Sequence, residues 1–204
     1  MKEIPFSENN LDGFSIERIR DDFIEGRFIE KYIYQEVILK SFGSEEVSDR
    51  VGYRSTDFKI FSRFPQIELR NAQRSSKDFL NRLLECCKFD LAVSPITVNL
   101  LEWVSGIEER TTHRILVDSL QLSGIELEEG VVGKILLRGD RDIREVIDRV
   151  VGGKPYILEK VQIKLQSSSQ RISIHLSNSG AARISADDTS ELVQVLRESI
   201  PSKR

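Results

Sequence analysis

Two stretches near the carboxyl end of the chain place an apolar side chain at every second position. In residues 161–166 and 171–177, apolar and polar residues alternate without exception. Successive side chains of a β-strand point to opposite faces, so each stretch has one apolar face and one polar face. This pattern predicts two strands of an antiparallel sheet that is buried on one side only. The sequence between them, residues 167–170, has the composition of a turn.

The neighbouring sequence extends this sheet and adds two helices. Strands are predicted at 114–122, 125–127, 131–137, 156–165, 171–176 and 182–185. One helix is predicted at 142–151, where Gly152 and Gly153 end the pattern. A second is predicted at 189–200, after a capping box at 188–191 and before Pro201. We expect the helices to cover the apolar face of the sheet.

Strand, strand and helix follow each other twice in this region. Residues 117–151 align with residues 161–200 on that order, although few positions are identical. Two explanations stay open, an internal duplication and a chance recurrence of common patterns.

The amino-terminal region mixes helical and extended signals. Ile16, Ile19 and Phe23 have helical spacing, whereas residues 28–42 are rich in aromatic and β-branched side chains. We therefore predict a helix followed by a strand within 14–42, and a break at 43–46. An extended segment is predicted at 57–69, because the Phe64-Pro65 pair disfavours helix.

Two helices are predicted in the middle of the chain. The first, 76–88, begins at Ser76 and carries phenylalanine and leucine side chains on one face. The second, 95–105, has Ser94 as its N-cap, Pro95 as its first residue and Gly106 at its end. The two apolar faces predict a helical hairpin.

Together these elements predict an α+β protein of two lobes. A chain of 204 residues is long enough for two small cores. We expect a mixed α/β lobe with the helical hairpin at residues 1–108. The other lobe, residues 109–204, is expected to be an antiparallel sheet covered by two helices.

Charge and composition bear on location and partners. The net charge is −3, so any attraction to nucleic acid or to an anionic membrane has to be local. No apolar run is long enough to span a bilayer, and the first residues lack the apolar run of a signal peptide. Adjacent cysteines, Cys86 and Cys87, diverge too far on a helix for an ordinary disulfide. These features predict a cytoplasmic protein.

Signals for catalysis or cofactor binding are sparse. The sequence contains no P-loop, no Gly-x-Gly-x-x-Gly and no Gly-x-Ser-x-Gly motif. His113 and His175 have no neighbours at metal-ligand spacing. No cofactor and no metal site are predicted.

One set of charged residues matches the needs of a metal-dependent nuclease. Such enzymes hold Mg²⁺ between carboxylates of adjacent strands, and a lysine assists the attacking water. Asp49, Asp57 and Lys59 supply these groups, and an upstream Glu25, Glu30 or Glu36 would complete them. Because nearly a third of the chain is charged, such spacings arise readily by chance.

The most distinctive charged region, residues 50–77, contains seven basic and two acidic residues, a local net charge of +5. Aromatic residues are interleaved with the basic ones, and this combination can bind phosphates and stack on bases. If residues 57–64 form a strand, alternation predicts that Arg54, Lys59 and Arg63 lie close together on an exposed side around Phe61. The candidate binding residues are Arg54, Lys59, Phe61, Arg63, Arg70 and Arg74. The alternative is a solvated strand whose arginines pair with carboxylates.

The functional prediction is a noncatalytic module for protein interaction or assembly. Its candidate surfaces are the polar face of the carboxyl-terminal sheet and the basic residues of 50–77. Nucleic-acid binding through residues 50–77 is the alternative, and a metal-dependent nuclease is the third hypothesis. Expected partners are another protein or a second copy, with nucleic acid as the alternative and no membrane.

Overall fold

The computed structural model describes residues 5–7, 10–39, 43, 45–72, 75–166, 171–186 and 189–202. Within these residues it contains antiparallel sheets of four and five strands together with four helices, which confirms the mixed α and β prediction. The chain divides into two compact units, Met1–Val93 and Ser94–Arg204. The sequence had suggested a boundary between residues 108 and 109.

The first unit is a four-stranded sheet with one helix. Its strands follow chain order across the sheet: β1 (Asp12–Ile19), β2 (Phe23–Leu39), β3 (Glu45–Phe61) and β4 (Ile67–Arg70). Helix α1 spans Lys77–Cys86. Register places Phe14 opposite Phe28, and both lie on the same face as Phe58. Phe79 and Leu83 of α1 pack on these three rings. Contacting ring pairs among the four phenylalanines have centroids 5.2–6.0 Å apart.

The helix predicted within residues 14–42 is wrong, because β1 and β2 account for nearly all of the described part of this stretch. Ile16, Ile19 and Phe23 have helical spacing, but these residues form strands because pairing and packing with residues distant in the chain stabilise strands here. Phe14 and Phe28 are both buried because antiparallel pairing sets them side by side beneath α1. The predicted extended segment 57–69 is divided between β3, a turn at 62–65 and β4.

The second unit is a five-stranded sheet with three helices. Its strands are β5 (Arg114–Glu128), β6 (Val131–Arg138), β7 (Ile157–Gln166), β8 (Arg171–Ser177) and β9 (Ala182–Ser185), arranged β6-β5-β7-β8-β9. The helices are α2 (Leu100–Arg110), α3 (Val146–Val151) and α4 (Ser190–Ser199). Val161, Ile163 and Leu165 are fully buried, with side chains of all three helices in the same core. The alternation in β7 and β8 therefore predicted this sheet and its buried face.

Several boundaries differ from prediction in the second unit. Residues 114–128 form one strand, with an irregularity between Leu122 and Ile125, where two strands were expected. Helix α3 begins at Val146, later than predicted, and ends at Gly152 in the left-handed conformation, as expected. The predicted turn at 167–170 and Asp188 of the capping box lie outside the described residues. The internal duplication stays a prediction.

Helix α2 begins five residues later than predicted. Residues 95–98 are not helical, and the Val98 amide donates a hydrogen bond to the Asn178 carbonyl at 2.8 Å. Asn99 is the N-cap, since its side-chain oxygen accepts from the Leu101 and Glu102 amides. Proline fits a first helical position, but packing of Val98 against the second core determined where the helix starts.

Gly106 lies inside α2 and does not end it. A Cβ atom at this position would approach the Ser199 carbonyl oxygen of α4 to 2.9 Å, so glycine permits close contact of the two helices. At the same contact, the Trp103 indole N–H donates to the Leu196 carbonyl at 2.9 Å. The helical hairpin predicted from α1 and α2 is therefore wrong, because their apolar faces belong to different cores.

Candidate interaction surfaces

The basic residues of 50–77 are spread over both faces of the first sheet. Arg54 and Lys59 are five positions apart on β3, so their side chains point to opposite faces. Arg63 is exposed in the turn after β3, and Arg70 is on β4. Arg74 lies outside the described residues. The prediction that Arg54 joins Lys59 and Arg63 on one side is wrong, because an odd separation along a strand reverses the face.

Lys59 and Phe61 are brought together, as predicted, but in a cluster that includes a carboxylate. The Lys59 ammonium lies 3.5 Å from Glu25 and 3.9 Å from the centre of the Phe23 ring. It is 5.6 Å from the centre of the Phe61 ring. This arrangement shields the lysine charge and covers one side of the aromatic pair.

Two further cations on this polar face pair with carboxylates, one within its own strand and one on the neighbouring strand. Arg70 lies 2.6 Å from Glu68, and Arg27 lies 2.7 Å from Glu17. In the described part of residues 50–77, the cations therefore lie on two faces and Lys59 and Arg70 pair with carboxylates, so the charge counted along the sequence is not collected on one surface. Exposed pairs of this kind contribute little stability, but they lower the positive potential that a phosphate would meet.

Arg54 lies on the side of the first sheet that carries the core. Its guanidinium carbon is 4.3 Å from the centre of the Tyr32 ring, and its register partner is Glu30. Burial raises the pKa of the Glu30 carboxyl, the Asp78 and Asp12 carboxylates raise it further, and Arg54 opposes this rise. Arg54 thus takes part in a charged group beside α1.

The carboxylates of the nuclease hypothesis are not assembled into one site. Asp49 and Asp57 are eight positions apart on the same strand, a separation of roughly 26 Å at about 3.3 Å per residue. Asp57 accepts a hydrogen bond from Asn71 at 2.9 Å. Among the described residues, no three His, Cys, Asp or Glu side chains are grouped so that they could hold a metal ion.

The second sheet has an open polar face opposite its core. One cross-strand row runs over all five strands and consists of Arg138, Ser119, Gln162, His175 and Arg183. We call it the cation row, because an arginine lies at each end and Lys160 and Lys164 flank Gln162 on β7. Arg138, Lys160, His175 and Arg183 are exposed.

Two carboxylates next to the cation row are engaged by lysines. Asp118 sits at a bulge in β5 and lies 2.6 Å from the Lys164 ammonium. Glu159 lies 2.5 Å from Lys134, and this hydrogen bond, with others from Ser123 and Gln121, lowers the pKa of Glu159 to about 2. Both carboxylates therefore add little free negative charge.

A two-stranded extension of β2 and β3 presents a third surface. Strand β1 pairs with β2 only up to Glu30, and β4 pairs with β3 only from Asp57 onward. Within the described residues, 32–39 and 45–52 therefore pair with each other and with no further strand, and we call them the arm. A two-stranded ribbon has no third strand to pair with either of its edges.

One face of the arm is apolar and exposed. Ile33 is opposite Val51, and Val37 is opposite Val47. These four side chains are between 51% and 66% exposed, and Tyr53, at the base of the arm on the same face, is 54% exposed. We call these five residues the apolar arm face. Pairing residues 32–39 with residues 45–52 in the sequence would have predicted this face. The helical spacing of residues 14–23 instead led to the prediction of a helix and a single strand in this region.

The opposite face of the arm is covered in part by its own side chains, although Tyr34 and Ile38 on this face are 47% and 40% exposed. Tyr32 and Tyr34 stack with ring centres 5.8 Å apart, and Tyr32 lies across Gly52, where a Cβ atom would approach the ring to 2.5 Å. Arg50 pairs with Glu36 at 2.8 Å. The two faces therefore differ in chemistry, and the one with Ile33, Val37, Val47 and Val51 carries the more exposed aliphatic side chains.

Neither the models of known protein families nor the curated proteins include a match to this chain. No helix in the described part of the chain is long and apolar enough to cross a membrane.

Proposed function

We propose that this chain is a noncatalytic protein-interaction or assembly module that contacts its partner through the apolar arm face. The single observation that carries this proposal is the exposure of Ile33, Val37, Val47 and Val51 on one side of a ribbon. With Tyr53 they expose roughly 500 Å² in total, in apolar rows on both sides of the Gln35 and Asp49 row.

The energetics favour coverage of this face. Removing roughly 500 Å² of apolar surface from water contributes about 12 kcal/mol before the costs of association, at about 25 cal/mol per Å². An isolated two-stranded ribbon is at best marginally stable in water, so a covering partner also stabilises the arm itself. Cross-strand pairs of β-branched residues form a regular surface that another chain can pack against.

Photo-crosslinking in the cells that produce the protein tests this function. A photoreactive phenylalanine analogue at Val51 is compared with the same analogue at Arg50, the adjacent residue on the other face of the arm. The two positions are almost equally exposed, with 51% for Val51 and 52% for the Arg50 side chain. We expect polypeptide adducts from position 51 and few from position 50. Equal yields from the two positions, or none from 51, would contradict the proposal.

A second candidate function, binding of a nucleic-acid backbone, is supported by the cation row. Its exposed cations lie on one face of a sheet that spans roughly 19 Å across five strands spaced about 4.8 Å apart. Between its two arginines, the Gln162 amide and the His175 imidazole can donate hydrogen bonds to phosphate, whereas Ser119 is buried. No aromatic residue belongs to the row, so binding would be independent of base sequence.

A salt titration with labelled single strands and duplexes tests this second candidate. Phosphate binding must weaken steeply as salt rises, with a slope set by the number of phosphates neutralised. The double substitution Arg138→Gln and Arg183→Gln should reduce the steepness of the plot of log K against log salt concentration by about 2. The double substitution Lys59→Glu and Arg63→Glu tests whether nucleic acid binds through residues 50–77 instead. If only the second pair of substitutions weakens binding, the cation row is not the site.

A further inference from the structure

We propose that the partner of the apolar arm face is the same face of a second copy of this chain, packed on it about a two-fold axis. This inference rests on the proposed function and specifies its partner. It follows from the order of side chains along the arm, which is symmetric about its centre.

Apolar rows lie on both sides of a central polar row. From base to tip, the cross-strand pairs on this face are Lys31 with Tyr53, Ile33 with Val51, Gln35 with Asp49, and Val37 with Val47. Rows on one face are separated by about 6.6 Å, twice the rise per residue. Gln35 and Asp49 therefore lie midway between the two apolar rows.

A two-fold axis that crosses the strands at this central row superimposes like on like. It sets the Ile33 and Val51 row of one copy on the Val37 and Val47 row of the other, and the reverse. Both apolar rows are then covered in a single step. Such an isologous contact uses one patch twice, so it needs no second surface and closes at two copies.

The charges at the two ends of the arm fit the same axis. Lys31 lies two rows before the centre, and Glu45 begins β3 two rows beyond it. The axis brings Lys31 of one copy near Glu45 of the second copy, and symmetry makes this contact twice. The two residues of the central row, Gln35 and Asp49, meet their own symmetry mates, and the two Asp49 carboxylates therefore place like charges near the axis.

Area and charge also favour a second copy over other occupants. Two apolar arm faces would bury roughly 1,000 Å² in total, at the lower limit of specific protein interfaces, so we expect a weak, concentration-dependent dimer. An anionic membrane would need several cations around the apolar patch. This face instead has Lys31 together with Asp49 and Glu45.

Sedimentation velocity of the whole chain, from about 1 to about 200 µM, is the test, since a small interface dissociates in that range. We expect the wild-type protein to dimerise as concentration rises. Val47→Glu should weaken the dimer by more than about tenfold, because it buries a charge. Ser48→Glu, the adjacent residue on the opposite face, adds the same charge and should leave dimerisation unchanged.

Two further variants test the axis itself. Asp49→Asn should tighten the dimer by about threefold or more, because it removes the like charges at the axis. Lys31→Glu should weaken it, and adding Glu45→Lys should restore it. A tighter dimer and a successful charge reversal support the two-fold contact. An Asp49→Asn dimer no tighter than wild type, or a reversal without recovery, would overturn it.

The outcome for the second copy is separable from that for the proposed function. A wild-type protein that stays monomeric, but crosslinks through Val51 to a different polypeptide, overturns the second copy as partner and leaves the assembly function standing. A monomeric protein without adducts from Val51 overturns both.

Discussion

Replacement of Lys164 by methionine should destabilise the second unit without disturbing its backbone. The Asp118 carboxylate beneath this lysine is only 8% exposed, and its Oδ2 atom lies 2.6 Å from the ammonium. Its Oδ1 atom is buried and has no hydrogen-bond partner in the part of the chain that the structure describes. Methionine keeps the aliphatic stem of Lys164 but leaves this carboxylate without a counter-charge.

The size of the effect follows from the burial of the two groups. Removing one partner of a buried ion pair costs about 3–5 kcal/mol, because the remaining charge stays desolvated. The Lys164 side chain is 43% exposed, so water can reach part of the gap. We therefore expect the lower end, about 3 kcal/mol, which corresponds to a fall in Tm of roughly 6–12 °C.

Urea unfolding provides the assay, because the single tryptophan, Trp103, is buried in the core of the same unit. Lys160→Met is the matched control, since Lys160 lies on the same strand and face but is exposed. It should change the free energy of unfolding by less than about 0.5 kcal/mol. Asn at position 118 should recover most of the loss in the Lys164→Met background. Equal effects of Lys160→Met and Lys164→Met would refute the reasoning.

Three further variants test other parts of the structure. Gly106→Ala should destabilise the protein by about 1–3 kcal/mol in urea unfolding, because the added Cβ would meet the Ser199 carbonyl. Alanine by itself favours helix, so a stabilised variant would contradict this contact. Trp103→Phe should cost about 3 kcal/mol by circular dichroism, since it leaves the Leu196 carbonyl buried without its donor. Glu30→Gln should raise Tm near pH 7, because the pKa of Glu30 is raised in the folded state and ionisation there costs stability. That gain should disappear as the pH falls below about 4.5, where Glu30 is protonated folded or unfolded, and a gain that persists at acid pH would count against the assignment.

Local patterns predicted most of the second unit. Alternation in residues 161–166 predicted β7 and its buried face, and the glycines after Val151 predicted the end of α3. Such features depend on a few adjacent residues. The alternation of apolar side chains and the ability of glycine to adopt the left-handed conformation can both be read from the sequence.

The candidate surfaces were predicted only in part. Lys59 and Phe61 were expected to be neighbours and are, whereas Arg54 lies on the other face of the sheet. The partners of the cations were not predicted, because Glu25 approaches Lys59 from a strand more than thirty positions away in the chain. Composition along a segment reports a charge, but the potential at a surface depends on which strands lie side by side.

Tertiary structure also decided which helices share a core and which apolar residues stay exposed. Helix α2 has a stripe that would suit a hairpin with α1, but Trp103 bonds to the Leu196 carbonyl of α4, about ninety residues away. Val37 and Val47 have the same β propensity as the buried Val161. They remain exposed because they point to the face of the first sheet opposite the α1 core, where Tyr53 at the base of the arm meets the Phe6 ring but Val37 and Val47 stay more than half exposed. Burial of a residue depends on which elements pack against it, and contacts between distant positions determine that packing.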